Sequence, residues 1–178
     1  IATAGTTSVG AIDPIGAIAD VCAARGVWLH VDAAFAAALL LSETLRPRLA
    51  GVDRADSAAF DFHKWFHAPY ATGCALVRDA GAHAASFSTD AAYLAAFDEG
   101  LAAGRPWPCD LGPDLSRPFS ALPVWFTLRH FGADRLGEAV ERNVRQAAAL
   151  ASMVDRHPRL ERLGPADLNI VWFRYAPA

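Results

Sequence analysis

Apolar and polar positions alternate along this chain in a strand–helix–strand rhythm. Ile1 to Thr7 is a short β-prone run ending at Gly5-Thr6-Thr7, and the loop Ser8 to Asp13 leads to Pro14, which suits the first turn of a helix. Ile15, Ile18, Ala19 and Cys22 recur at helical spacing, so a helix is predicted over Ile15 to Arg25, with Gly26 as its C-cap. Val27-Trp28-Leu29-His30-Val31 is nearly continuously apolar, the pattern of a parallel strand buried on both faces, and it stops at Asp32. Ala33 to Leu41 then leads to a short helix around Ser42 to Arg46, near Pro47.

A third strand is predicted over Ser57 to Asp61 and a fourth over Cys74 to Arg78, reversed in direction because the turn-rich link Pro69 to Gly73 is too short for a crossover helix. The pattern weakens between Asp79 and Pro118. Glycines and prolines punctuate that interval around a helical patch at Asp90 to Phe97, as in a partly mobile, lid-like excursion. Two helices follow, Ser120 to Phe131 and Ala133 to Arg156. The second carries Leu136, Val140, Val144, Ala147, Ala148, Ala151 and Val154 on one stripe, and Asn169 to Tyr175 reads as a terminal strand. The alternation implies an α/β layer, a mostly parallel sheet flanked by helices with right-handed crossovers. Residues 1–131 then form the larger domain, and 132–178 a linking helix and the start of a small C-terminal α+β domain.

Composition narrows the functional classes. A formal charge of −3 with scattered arginines gives no basic field for nucleic acid, and no stretch approaches the roughly 20 uncharged apolar residues of a membrane span. The 3 cysteines, Cys22, Cys74 and Cys109, are odd in number and far apart, which argues against a disulfide framework and fits a reducing, cytoplasmic setting.

Lys64 is the only lysine among 16 basic residues. Where arginine serves every need for permanent charge, a single retained amine points to chemistry that requires a proton to leave, above all imine formation with a carbonyl. The ordinary alternative is a solvated loop lysine. Lys64 lies with Asp61 and His63 just beyond a predicted strand, where α/β sheets deliver side chains to a crevice. Asp32 ends the neighbouring predicted strand. It is either a cap for the following turn or a carboxylate awaiting a cationic partner. Together, Lys64 and Asp32 match the needs of a pyridine-ring cofactor, an amine at its aldehyde and a carboxylate at its ring nitrogen. His63-x-x-x-His67 suits a metal poorly, since Pro69 argues against a helix there, and neither a Gly-x-Ser-x-Gly elbow nor a Gly-x-Gly-x-x-Gly fingerprint is present.

These residues carry a resemblance. Thr3-Ala4-Gly5-Thr6-Thr7, Trp28-Leu29-His30-Val31-Asp32-Ala33-Ala34, Ala55-Asp56-Ser57, His63-Lys64-Trp65, Asp90-Ala91-Ala92-Tyr93-Leu94 and Ser116-Arg117 follow one another as they do in a known family. The chain resembles the group II pyridoxal-phosphate-dependent amino-acid decarboxylases, the group that includes aromatic L-amino-acid decarboxylase. The resemblance implies a fold-type I transferase-like large domain, pyridoxal 5'-phosphate as cofactor, a small amino-acid substrate, aromatic in the leading reading with glutamate, histidine and diaminobutyrate left open, and a cytoplasmic homodimer. It implies that Lys64 forms the Schiff base, Asp32 pairs with the pyridine nitrogen, and Ala34 packs on one ring face. His63 would lie by the phosphate and Thr7 near ring and substrate, with Asp13 behind them. Asp61 stands where relatives often carry an asparagine that contacts the phosphate. Tyr93 corresponds to a loop tyrosine that, with His63, returns a proton after carbon dioxide leaves; phenylalanine at that place goes with aldehyde formation.

The sequence departs from the family at Ala36-Ala37-Ala38, where a glycine is usual, and at Pro118, Ser120 and Pro123, where basic residues are common. A ring-stacking histidine and further phosphate donors are expected upstream of Ile1, so the segment alone is expected to be inactive. An aldehyde synthase or desulfurase of the same fold is the near alternative. A cofactor-free, non-catalytic partner protein is the distant one.

Overall fold

The computed structural model describes residues 1–87, 98–100, 103–104 and 106–177. These form two compact units, one of Ile1–Leu76 with Ser120–Ala178 and one of Val77–Phe119.

The first unit is built on a sheet ordered β1-β2-β3-β4, of Ala2–Thr3, His30–Asp32, Ser57–Asp61 and Gly73–Val77. β1, β2 and β3 run parallel, in a register that sets Thr3 beside Asp32 and Asp32 beside Ala59. Between β1 and β2 runs α1, Ile15–Arg25, closed by Gly26 at φ 60° as expected, while Pro14 takes the N-cap position rather than the first turn.

The expectation that Val27 to Val31 is buried on both faces is corrected. Leu29 and Val31 are buried, but Val27 and Trp28 are 57% and 50% exposed, and only His30–Asp32 pairs as strand. The exposed face is held by polar contacts, since Trp28 Nε1 donates to Ser57 Oγ at 2.8 Å and His30 Nδ1 lies 2.8 Å from the same hydroxyl. The short helix expected around Ser42 to Arg46 is replaced by two 3₁₀ turns, Ala36–Leu41 and Arg46–Leu49, with Pro47 inside the second.

Two long-range contacts seat the helix α4, Ala133–Arg156, on the first of these turns. A Cβ at Gly137 would collide with the Leu41 carbonyl oxygen, so glycine is what permits the approach. Ser42 Oγ and Thr44 Oγ1 then donate to Glu141 Oε1 at 2.6 and 2.8 Å, which holds that carboxyl below its usual range. Leu136, Val140, Ala147, Ala151 and Val154 are buried as the stripe predicts and Val144 packs at the core's edge, but Ala148 is exposed. α3, Ala121–Phe131, precedes α4, and α4 leads into an antiparallel pair, β5 Leu160–Arg162 with β6 Phe173–Tyr175. The terminal strand is thus shorter than expected and has a partner, β5, whose Arg162 Nε donates to Asp155 Oδ1 of α4 at 2.8 Å.

In the second unit, α2 spans Ala80–Phe87, a helix the weak pattern concealed, and Ala82 N donates to Asp79 Oδ1 at its start. The predicted patch Asp90 to Phe97 lies outside the described residues, and so does Tyr93.

Candidate active site

The site is assembled at the carboxyl ends of the parallel strands. After β1 the chain turns back in a small loop: Gly5 and Thr6 N–H both donate to the Ala11 carbonyl, and Asp13 Oδ2 accepts from Thr3 N at 2.7 Å. Gly5 sits at φ 89°, and a Cβ there would come within 2.8 Å of Ala36 Cβ. Only glycine lets this loop, and with it Thr7, lie against the Ala36–Leu41 turn.

Asp32 ends β2 one strand away from β3, the strand that delivers Lys64. Its backbone carbonyl accepts from Ala4 N, and its side-chain Oδ1 accepts from Ala34 N at 3.0 Å. One carboxylate oxygen therefore shapes the turn that carries Ala34. The other has no partner among the described residues, and the side chain is exposed rather than buried against a cation.

Beyond β3 the chain winds tightly, with Lys64 N donating to Asp61 O, His67 N to Lys64 O and Ala68 N to Phe62 O. His67 takes φ 61°, an uncommon backbone conformation for a residue with a Cβ. Lys64 Nζ is 2.8 Å from Asp61 Oδ2, with the lysine side chain 40% exposed. The aspartate that replaces the expected asparagine is thus the partner of the lone amine. His63 Nδ1 accepts from Thr72 N at 3.0 Å, so a neutral imidazole carries its proton on Nε2, and its ring lies 4.4 Å from that of Tyr70.

The residue after Lys64 anchors the turn. Trp65 is 4% exposed, stacks on Phe35 at 5.2 Å and 17°, and donates from Nε1 to Asn143 Oδ1 of α4 at 3.0 Å. Lys64, Thr7, Phe35, Trp65 and His67 line one side of a cleft of about 700 Å³, and Asn143, Gln146, Ala147, Leu150, Asn169 and Val171 complete it. Of the residues expected at the site, Thr7 and Lys64 face this cleft and Asp61 grips the lysine. Asp32, Ala34 and His63 stand at the same strand ends but are not part of its lining. Sequence reasoning missed Phe35, His67, Asn143, Gln146 and Asn169. The i, i+3 pair Asn143 and Gln146, on the flank of an alanine-rich helical stripe, was the one signal available for them. Among the described residues no group of three or more histidine, cysteine or acidic side chains is placed to hold a metal ion.

A parallel sheet whose strand ends carry a carboxylate and a paired lysine is the arrangement that the resemblance to the fold-type I class implies. Consistent with it, the crystal structure of Oryza sativa TDC with PLP and tryptamine superposes with a TM-score of 0.88 at 33% identity, over 98% of this chain and 35% of that one. The chain belongs to the family described as the pyridoxal-dependent decarboxylase conserved domain, whose model it matches over residues 1–176. It is 35% identical over 178 residues to an aromatic-L-amino-acid decarboxylase of Bacillus atrophaeus, covering 100% of this chain and 37% of that protein. It is 38% identical to an L-2,4-diaminobutyrate decarboxylase of Rhizobium meliloti (strain 1021), again over 100% of this chain and 35% of the relative. The chain therefore spans a little over a third of the length of the relatives it matches.

Proposed function

We propose that this chain is the lysine-bearing part of a pyridoxal-phosphate-dependent carboxy-lyase that converts an L-amino acid, of aromatic type, to its amine. The observation that carries the reading is the delivery of Asp32 and Lys64 by adjacent, in-register parallel strands to one edge of the sheet. The residues fit the cofactor. Lys64 offers the one side-chain amine of the chain at the edge of a cleft, Thr7 offers a hydroxyl, and Asp32 retains an oxygen that Ala34 does not use.

When bound, pyridoxal phosphate supplies an electron-poor ring that draws off the electron pair of the bond to the departing carboxylate. The protein's part is to hold and to protonate. Lys64 is kept in place by Asp61 until a carbonyl reaches it. Asp32 supplies a negative charge against a ring nitrogen, a charge-assisted contact worth roughly 1.5–3 kcal/mol. Ala34, at the turn Asp32 shapes, offers a small apolar surface for one ring face. His63, with its proton on Nε2, is oriented by Thr72 to serve a phosphate oxygen or to return a proton to the α-carbon. Tyr93 is assigned the second proton-donor role. The carboxylate leaves as carbon dioxide and one proton takes its place.

The protein acts as a homodimer in the cytoplasm. The resemblance to the family supports the homodimer, and the free thiols of Cys22, Cys74 and Cys109 support a reducing compartment. The test is spectroscopic and chemical. The native-length protein should show a visible Schiff-base band that Lys64→Ala abolishes, and mass spectrometry should find amine and carbon dioxide from an aromatic amino acid. Aldehyde as the product would replace this reading with the aldehyde synthase, and absence of the band would leave a cofactor-free protein.

A further inference from the structure

The link between β3 and β4 holds a set of contacts centred on His63. Phe62 N donates to Thr72 O at 2.9 Å and Ala68 N to Phe62 O at 3.0 Å, so the backbone ties the two ends of the link together. Thr72 Oγ1 donates to Pro69 O at 3.2 Å, and the threonine itself is buried. The amide of Thr72 is thereby fixed, and it lies 3.0 Å from His63 Nδ1. A backbone N–H can only donate, so Nδ1 accepts and a neutral ring has its proton on Nε2.

A single hydrogen bond restrains one nitrogen and leaves the ring plane free to swing, because the last torsion of a histidine side chain has a broad minimum. Tyr70 restricts that freedom. Its ring centroid lies 4.4 Å from that of the imidazole with 36° between the planes, so the two faces are in contact. The tyrosine side chain is 83% exposed among the described residues, so a substitution there takes no core packing from this unit and disturbs the imidazole contact instead.

We propose that Tyr70 is a positioning residue for His63: its ring covers one face of the imidazole and, with the Thr72 amide, holds it in a single orientation with the proton on Nε2. What His63 then does, serving a phosphate oxygen or returning a proton, rests on the decarboxylase reading, and the inference adds to that reading the side chain that keeps the imidazole aimed. An aromatic pair of this kind biases an equilibrium on the order of 2- to 10-fold, which sets the size of the effect expected when the tyrosine ring is removed.

The experiment reads the imidazole directly, by nuclear magnetic resonance of the native-length protein carrying isotope-labelled histidine. The His63 signal is assigned by its loss in His63→Gln, and its two ring nitrogens distinguish the Nε2–H form from the Nδ1–H form. Wild type should show the Nε2–H form, Tyr70→Leu should raise the population of other forms roughly 2- to 10-fold, and Tyr70→Phe, which keeps the ring, should restore the wild-type pattern. With pyridoxal phosphate bound and L-tryptophan or L-tyrosine as substrate, Tyr70→Leu should lower kcat by a similar factor and leave KM within about twofold. In the His63→Gln background the same substitution should change kcat by less than about 1.5-fold, because a residue that acts through His63 has nothing left to act on. An imidazole signal unchanged in Tyr70→Leu, a loss in Tyr70→Phe as large as in Tyr70→Leu, or an undiminished effect in the His63→Gln background would overturn the assignment. A wild-type protein that releases no amine overturns the decarboxylase reading instead, and the imidazole signals still decide the part played by Tyr70.

Discussion

The hydrogen bond from Trp65 to Asn143 should hold the lysine turn in place, and its energy can be worked out. Trp65 is 4% exposed and its Nε1 lies 3.0 Å from Asn143 Oδ1, so the bond is shielded and well formed. Trp65→Phe removes the donor and part of the buried ring, about 1 kcal/mol for the bond and about 1–2 kcal/mol for lost burial. Asn143→Ala leaves the indole N–H without its acceptor, at about 1–2 kcal/mol. With both substitutions the bond is lost only once, so the pair should fall short of additivity by about 1 kcal/mol.

Global unfolding is a poor gauge of one turn in a protein with more than one compact unit. The amides of His67 and Ala68 are better reporters, because they donate to Lys64 O and Phe62 O and exchange only when the turn opens. Hydrogen exchange at these amides should quicken roughly 30-fold in Trp65→Phe and roughly 10-fold in Asn143→Ala, with a non-additivity of about fivefold in the double variant. Uptake of pyridoxal phosphate should slow in the same order, since Lys64 would leave its place more often. Strictly additive exchange rates, with coupling below about 0.3 kcal/mol, would mean that the bond does not restrain the turn and that the link from α4 to the lysine is wrong.

Three further outcomes follow from the same geometry. Gly137→Ala should destabilise by about 1–2 kcal/mol, because a methyl group driven into the Leu41 carbonyl costs about 1–3 kcal/mol while the gain in helix propensity returns only about 0.5–1, and thermal melting reads the sign directly. Ser42 and Thr44 hold Glu141 below the ordinary carboxylate range, so its contribution to stability is complete above the unfolded value near pH ~4.3 and fades as pH falls through the lower folded value. The wild-type melting temperature should therefore drop more steeply between about pH 5 and 3 than that of Glu141→Gln; parallel curves would contradict the assignment. Asp61→Asn removes the ion pair to Lys64 Nζ and should change the rate at which the Schiff-base band grows on adding pyridoxal phosphate, whereas a rate equal to wild type would leave Asp61 without a part in lysine positioning.

How far the sequence disclosed this arrangement depended on whether a signal was local. α1 and α4 were legible to the residue because each has an apolar repeat at helical spacing, closed in the first by Gly26. Lys64, Asp61 and Asp32 were legible because an abrupt change from apolar to polar marks a strand end. What the sequence hid was long-range. β2 reads as buried on both faces because Trp28 is apolar, yet its indole turns outward to a serine on the next strand, a contact no local pattern encodes. The partner of β6 was hidden in Leu160–Arg162, a stretch too short and too charged to look like a strand.

The same division runs through the site. Asp32, Asp61 and Lys64 come from contiguous motifs, whereas the cleft beside Lys64 is walled in part by side chains about 80 to 107 positions further on, which include residues of α4, the helix docked through Gly137 and Glu141. That separation has a physical consequence. The lysine turn is held both by hydrogen bonds within residues 61–72 and by the Trp65–Asn143 bond to α4, whereas the wall of the cleft facing it comes from distant residues alone. Substitutions at Gln146 and Leu150 of α4, rather than at Asn143, are accordingly the ones that can reshape the cleft while leaving the amine and its aspartate where they are.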